Sequence, residues 1–344
     1  VPSTAVSLTL EGTMGENDEV GLYTFEGPGG RVYENESETG PVLWKEEKKS
    51  FSIHSPSSDQ PATQLVPGGG TYKFRLRRIG GGASTMAVRA IIELRANGRN
   101  DNAVLTLNIY LADGLVPTAA TAANDANLQS MITQTGQILN AQGITLGDID
   151  YYDIVNSAFD QVSQGEEEQL FQLSGQANEV RLNLFLVSQV WSGQLLGLSG
   201  SIDGSKRNGD RVTGVVSLYF EGNPGAIAAV CAHEMCHYLG LWHTVESDGT
   251  WDLINDTPNC PAFGVSPACG VEGGDLLMHW QGNGGTILSD GQGRVLRGHS
   301  LLLPPGQGGA LQVKPKVGPW TPDQKALDFF RNRVGDFCGT RRER

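Results

Sequence analysis

The sequence predicts an α+β protein in which an all-β sandwich domain precedes a domain that mixes strands with helices. Two patterns carry this prediction. In the first hundred residues, stretches such as 71–78 alternate apolar and charged side chains between Gly-rich turns, which is typical of half-buried antiparallel strands. Further along, strand patterns are joined by helix signals. The clearest is Asn223 followed by Pro224, a cap residue and then a proline at the first helical position.

The chain divides into three predicted parts. Residues 1–98 form the sandwich, with strands at 71–78 and 88–94, and a polar linker follows. Residues 103–302 form the mixed domain, and residues 303–344 form a Pro- and Gly-rich loop and a final helix. The predicted elements of the mixed domain are strands around 105–111, 180–186 and 212–218 and helices over 127–140, from Pro224 to about Leu239, and from a capping box of Ser289 and Gln292 toward Gly298.

Bulk composition argues against some classes of function. The 344 residues carry a formal net charge of −13, which disfavours nucleic acid as a partner because phosphate binding needs a basic face. The longest apolar runs are far shorter than the roughly 20 residues that a membrane-spanning helix requires. The chain begins at Val1 without a basic, apolar leader, so we expect a mature, already processed protein.

The most informative stretch is 233–243, which follows the pattern H-E-x-x-H-x-x-G-x-x-H. Residues four apart share one face of a helix, so His233 and His237 can present two imidazoles to one metal ion, with Glu234 beside them. Gly240 allows the chain to leave the helix and return His243 as a third ligand. The pattern therefore predicts Zn²⁺ held by three histidines, with an open fourth position and Glu234 as the general base.

Two alternatives compete with a catalytic zinc site. An isolated H-E-x-x-H can occur by chance on an amphipathic helix, but half of the chain's six histidines fall within this one stretch. A closed structural zinc site usually recruits cysteine and fills all four positions, whereas the visible ligand set here is three histidines. Both alternatives are weaker than the catalytic interpretation.

The extended motif resembles the signature of metzincin zinc metallopeptidases. The Asp-Thr-Pro sequence at 256–258, downstream of His243, resembles the pappalysin branch of that family. The resemblance covers roughly residues 103–302. It implies a mixed twisted sheet with an active-site helix and a Met-turn beneath the metal, for which Met278 is the candidate.

One position departs from the family pattern. Pappalysin-like enzymes commonly carry a tyrosine two residues after the Met-turn methionine, whereas this chain has Trp280, which offers an N–H donor but no phenol oxygen. The resemblance therefore carries no tyrosine ligand over to this chain. His279 either replaces that donor or points away from the metal.

The loop after the motif is rich in carboxylates, and pappalysin relatives use calcium. Asp248, Asp252 and Asp256 are the candidate ligands for Ca²⁺. The alternative is that these residues are surface carboxylates with capping and turn roles. No EF-hand spacing is present.

The five cysteines leave at least one thiol unpaired within the chain. Cys260 and Cys269 lie close together in a loop and are the first candidates for a disulfide. Cys231 and Cys236 point in different directions on the motif helix and cannot easily pair with each other. Either one of them pairs with Cys338 or both are small buried apolar residues.

The prediction for the whole chain is a secreted or extracellular zinc endopeptidase of bacterial origin, acting on proteins or peptides. Its N-terminal strands and turns resemble bacterial pre-peptidase C-terminal domains. The segment 212–219 is the predicted edge strand along which an extended peptide would add. The alternative functions are a non-catalytic extracellular surface or assembly protein that retains a metzincin fold and zinc site, and a zinc hydrolase of a non-protein amide. The sequence leaves the oligomeric state open.

Overall fold

The fold is that of a computed structural model. It describes residues 1–13, 19–30, 32–35, 46–48, 50–61, 63–66, 69–79, 86–94, 101–245, 252–258, 275–280 and 285–308. The strands are β1 (Ala5–Thr13), β2 (Glu19–Glu26), β3 (Val32–Asn35), β4 (Glu46–Lys48), β5 (Ser50–Ser55), β6 (Lys73–Ile79), β7 (Ala87–Leu94), β8 (Ala103–Ala112), β9 (Ile144–Ile154), β10 (Gln161–Val162), β11 (Leu182–Val187), β12 (Gln189–Val190), β13 (Gly197–Ser199) and β14 (Val215–Leu218). The α-helices of the described residues are α1 (Ala126–Asn140), α2 (Glu167–Gln172), α3 (Pro224–Tyr238) and α4 (Asp290–Gly298). This mixture of sheets and helices is consistent with the predicted α+β class.

Two antiparallel sheets form the described part of the first hundred residues. One has the strand order β5-β1-β7, and in the other β2 pairs with β3, β4 and β6. Apolar side chains from both sheets share one buried cluster, whose members are Leu8, Leu10, Val20, Leu22, Phe25, Phe51 and Ile53. Within it Phe25 stacks on Phe74 of β6, with ring centroids 4.3 Å apart. The two sheets therefore cover each other's apolar faces.

The strand predicted at 88–94 is present as β7, but the prediction that its apolar face is buried is wrong. Val88 and Leu94 are 48% and 50% exposed. β7 is one of the two edge strands of its sheet, and the buried cluster takes its members from β1, β2 and β5. Alternation predicts the strand but not its place in the sheet.

The second face of β1 and β5 is polar and also buried. Thr9, Glu11 and His54 have no exposed surface, and they alternate along their strands with the apolar residues of the cluster. This face contacts the part of the chain that follows residue 200, through Glu11 and His54 among others.

A five-stranded sheet forms the centre of the second part, in the order β13-β14-β11-β8-β9. The last four strands of that order run parallel, and β13 pairs antiparallel with β14 at the edge. Every residue of β8 and β11 is buried, because apolar clusters lie on both faces of the sheet. The prediction that residues 212–219 form the edge strand is therefore wrong, since β13 lies outside β14.

The helix ends follow their sequence signals. α3 begins at Asn223, whose Oδ1 accepts a hydrogen bond from the Ala226 amide at 3.2 Å, and Pro224 occupies the first turn. The predicted capping box of Ser289 and Gln292 is present in both directions at the start of α4. No helix in the described ranges has the length and apolar character needed to cross a membrane.

Candidate metal centre

The end of α3 turns the chain back on itself. The Leu241 amide donates to the Cys236 carbonyl and the Gly240 amide to the His237 carbonyl, both at 2.9 Å, which is the hydrogen-bond pattern of a Schellman turn. Gly240 has φ +105°, in the left-handed region that glycine adopts without a steric penalty. This turn returns His243 to the side of α3, as the spacing of the motif predicts.

Three imidazoles converge at this point, and we call them the histidine cluster (His233, His237 and His243). Nε2 of His233 lies 3.0 Å from Nε2 of His237 and 3.3 Å from Nε2 of His243. All three side chains are buried, His243 being the most exposed at 2%. Among the described residues this is the group of potential metal ligands whose ligand atoms all lie within 4.8 Å of one another.

Backbone carbonyls determine which nitrogens face the centre of the cluster. Nδ1 of His233 lies 2.6 Å from the Leu277 carbonyl, and Nδ1 of His237 lies 2.6 Å from the Leu241 carbonyl. Because a carbonyl oxygen only accepts, each Nδ1 must carry the proton, and each neutral ring then directs the lone pair of Nε2 inward. Such carbonyl partners are the usual outer contacts of metal-bound histidine.

This arrangement fits a zinc ion. Inward lone pairs at such short separations repel each other unless a cation lies between them. Two nitrogens bound to one zinc ion at about 2.0–2.1 Å in a tetrahedral arrangement are roughly 3.3 Å apart, close to the separations observed here. Three imidazole nitrogens also match the ligand set of a catalytic site with one open position.

The electrostatics of the cluster favour metal binding. The pKa values of His233 and His237 are both lowered well below the ordinary value of a histidine. Burial is the largest cause, and the electrostatic effect of His243 is the second. Both rings are therefore neutral near pH 7, which is the form that binds a metal.

A turn at 276–278 forms one wall of the cluster. Its Leu277 carbonyl holds His233, and its Met278 carbonyl accepts a hydrogen bond from the Thr244 amide at 2.7 Å, next to His243. The Met278 side chain has no exposed surface and belongs to the same apolar cluster as Met235 of α3. The turn thus contacts both segments that carry the histidines. These contacts are made by backbone carbonyls and do not involve the Met278 side chain.

Glu234 is buried on α3 beside the cluster. Its side chain packs against the backbone of β13, the edge strand of the five-stranded sheet. A Cβ atom added at Gly197 of β13 would lie 2.6 Å from Glu234 Cγ and 2.9 Å from Oε1. Any larger residue at Gly197 would collide with this carboxylate. The edge strand and Glu234 are therefore immediate neighbours.

His279 and Trp280 follow the turn. His279 is buried at 1% exposure and lies close enough to His233 to contribute to the lowering of its pKa, whereas Trp280 is half-buried. His279 therefore lies within electrostatic reach of His233.

The acidic loop (Asp252 and Asp256) gives no support for a calcium site. Oδ1 of Asp252 accepts hydrogen bonds from Thr257 Oγ1 and the Ile254 amide. Asp256 accepts from Ser289 Oγ at 2.6 Å and from the Gly291 amide at 2.9 Å. These are the capping and turn roles that the sequence offers as the alternative to calcium binding. Asp248 lies outside the described residues.

The cysteines of α3 are free thiols. Cys231 and Cys236 are both buried and form no disulfide, which agrees with the interpretation of these two residues as small apolar ones. Burial raises the pKa of the Cys231 thiol to about 12, so it is not a reactive thiolate at neutral pH. Cys260, Cys269 and Cys338 lie outside the described residues.

Comparisons with known proteins give distant structural likenesses and no family. No family model matches the chain, and no curated protein matches it. The structure of metalloproteinase-II from Bacteroides fragilis is similar to it with a TM-score of 0.30 and 15% sequence identity, over 44% of this chain and 48% of that chain. The match thus spans about half the length of that protein. So low a TM-score does not establish a shared fold, and the function proposed below depends on the side chains of the site.

Several contributors to the site were not found from the sequence. The carbonyls of Leu241 and Leu277 have no signal in the sequence, since every residue has a carbonyl. Gly197 lies in a short stretch, Leu-Leu-Gly-Leu-Ser-Gly, without the alternation that marks a strand.

Proposed function

We propose that this chain is a zinc-dependent endopeptidase of the metzincin type. The observation that carries the proposal is the histidine cluster, in which backbone carbonyls hold Nδ1 of His233 and His237 and the Nε2 atoms converge, next to the buried carboxylate of Glu234. His233, His237 and His243 are the zinc ligands, and Glu234 is the general base. Met278 is the Met-turn residue, and the protein acts outside the cell, as the family resemblance implies.

Each residue then has a defined task in peptide hydrolysis. His233, His237 and His243 would hold the zinc ion, which would supply a Lewis acid for water activation near neutral pH and for polarising the scissile carbonyl. The carboxylate of Glu234 accepts the proton of the attacking water and passes it to the nitrogen of the leaving amine. Because Glu234 is buried beside Gly197, its carboxylate is fixed in place rather than free to turn into solvent.

The edge strand β13 supplies a place for the substrate. It is short and lies at the end of the five-stranded sheet, so an extended peptide can add to it through backbone hydrogen bonds. Gly197 places this strand in contact with Glu234. A peptide on β13 would therefore run past the general base, which favours an endopeptidase over a hydrolase of small amides.

The test compares the parent with Glu234→Ala and, as a matched control, Glu221→Ala, which removes an exposed carboxylate just before α3. Zinc is quantified by mass spectrometry and cleavage is followed on casein and a peptide library. We expect one zinc per chain in all three proteins. We expect cleavage to fall at least about 100-fold in Glu234→Ala alone, because the base is lost while every ligand remains.

Two outcomes would contradict the proposal. Cleavage by Glu234→Ala within a few-fold of the parent would reject Glu234 as the base. Zinc in the parent without any cleavage of protein or peptide would favour the non-catalytic surface or assembly protein instead.

A further inference from the structure

A short segment between β13 and β14 caps the end of α3, and we call it the connecting segment (residues 203–207). The Gly204 amide donates to the Tyr238 carbonyl at 2.6 Å, and the Tyr238 hydroxyl donates to the Ser205 carbonyl at 2.9 Å. The last carbonyls of a helix have no partner within the helix, so Gly204 supplies one from elsewhere in the chain.

Asp203 of this segment lies directly against the turn that ends α3. A Cβ atom added at Gly240 would be 2.7 Å from Asp203 Oδ1. The carboxylate therefore packs on the backbone of the residue that redirects the chain toward His243. The next residue, Leu241, provides the carbonyl that orients His237.

The N-terminal sheet holds the connecting segment from its other side. The His54 amide of β5 donates to Asp203 Oδ2 at 3.3 Å, and Ser52 Oγ donates to the Gly204 carbonyl at 3.4 Å. The buried carboxylate of Glu11 on β1 accepts from the Lys206 amide at 2.8 Å. These contacts join the polar, buried face of β1 and β5 to the end of α3.

The backbone of Asp203 requires this support. Its φ of +60° lies in the left-handed region, which costs a residue other than glycine on the order of 1 kcal/mol unless its surroundings hold it there. Asp and Asn tolerate this region better than other residues do. From the α4 side, Nε2 of His299 donates to the Gly204 carbonyl at 2.9 Å. Asp203 is thus held in a strained conformation at the point where three parts of the fold meet.

We propose that Asp203 is a positioning residue for the zinc site, through which the N-terminal sheet fixes the Gly240 turn and hence His237 and His243. The inference rests on the function proposed above. It assigns to the N-terminal sheet a part in metal binding. Asp203 does not touch the metal and acts through the turn.

The test uses the full chain and three variants. Asp203→Gly removes the carboxylate but still permits the left-handed backbone, and Asp203→Asn keeps the shape and an acceptor oxygen. Ser192→Gly is the matched control, since Ser192 is an exposed residue that also has a positive φ, of 54°. The readouts are zinc affinity by competition with a chromogenic chelator and the visible absorption spectrum of the Co²⁺-substituted protein, which reports ligand geometry.

We expect Asp203→Gly to weaken zinc binding about 10- to 100-fold, the range found for outer contacts of metal ligands, and to change the cobalt spectrum. Asp203→Asn and Ser192→Gly should match the parent in both readouts. An Asp203→Gly protein that is less stable without metal but has the parent's zinc affinity and spectrum would overturn the inference, since its role would then be structural only.

A second variant tests the neighbouring contact between the connecting segment and α3 if Asp203→Gly does not fold. Tyr238→Phe keeps the ring and removes only the hydroxyl that donates to Ser205, and we expect zinc binding up to about fivefold weaker. An unchanged affinity would overturn the inference. A parent that binds no zinc would instead reject the proposed function, and the two failures are therefore distinguishable.

Discussion

The histidine cluster and the acidic loop lie close together in the chain, and the sequence offers candidate metal ligands in both. They differ in whether the lone pairs of their ligand atoms are left available to a metal ion. In the histidine cluster, the carbonyls of Leu277 and Leu241 accept hydrogen bonds from Nδ1 of His233 and His237, so the Nε2 lone pairs converge on one point. In the acidic loop, hydroxyl and amide donors of the chain itself occupy Oδ1 of Asp252 and both carboxylate oxygens of Asp256. The comparison shows that the residue types alone do not make a metal site, because the acceptor atoms must also remain available.

The largest expected effect is the loss of zinc when one histidine is removed. His237→Ala leaves two ligands and should weaken zinc binding beyond the roughly 100-fold that marks the upper range for outer contacts. Asp256→Asn, its counterpart in the acidic loop, should leave zinc affinity unchanged. Chelator competition on both variants makes the measurement. Equal losses of zinc in the two proteins would mean that the regions are not distinct.

A smaller effect is expected from the titration of Asp252 in the acidic loop, which makes the stability of the protein depend on pH. Burial raises the pKa of this carboxyl to about 7, against the lowering effect of its hydrogen bonds from Thr257 and Ile254. Between about pH 4 and pH 7 the folded protein therefore binds more protons than the unfolded chain, so the free energy of unfolding falls as the pH rises through this range. Asp252→Asn removes this dependence.

Urea unfolding of the parent and Asp252→Asn at pH 5 and pH 8 measures the difference. We expect the variant to gain on the order of 2 kcal/mol relative to the parent between these two pH values. Added Ca²⁺ should shift neither protein. A calcium-dependent stabilisation of the parent that the variant lacks would show that Asp252 binds a cation after all.

The part of the site that could be predicted depends on cap and turn residues that act within a few positions of the chain. Asn223, Pro224 and Gly240 act on the backbone within one helical turn, so the bounds of α3 and the return of His243 follow from the sequence. The capping box of α4 was predictable for the same reason. Each of these features depends on residues only a few positions apart.

What could not be predicted depends on contacts between distant parts of the chain. β13 takes the edge of the sheet by pairing with β14, although its own sequence has no alternation. Asp203, followed by Gly204, indicates only a turn. Its packing on Gly240 and its bond to His54 join residues 37 and 149 positions apart, and no local pattern reports such distances.

The smallest expected effect concerns Ser289, which connects the acidic loop to α4. Its hydroxyl accepts from the Gln292 amide as the helix cap and donates to Asp256. Ser289→Ala should cost about 1 kcal/mol for the cap and somewhat more for the lost donor, whereas Ser289→Thr keeps both. If denaturant unfolding gives Ser289→Ala a cost no greater than the roughly 1 kcal/mol of a lost cap, the hydroxyl does not hold the Asp256 carboxylate, and that carboxylate is again available to a cation.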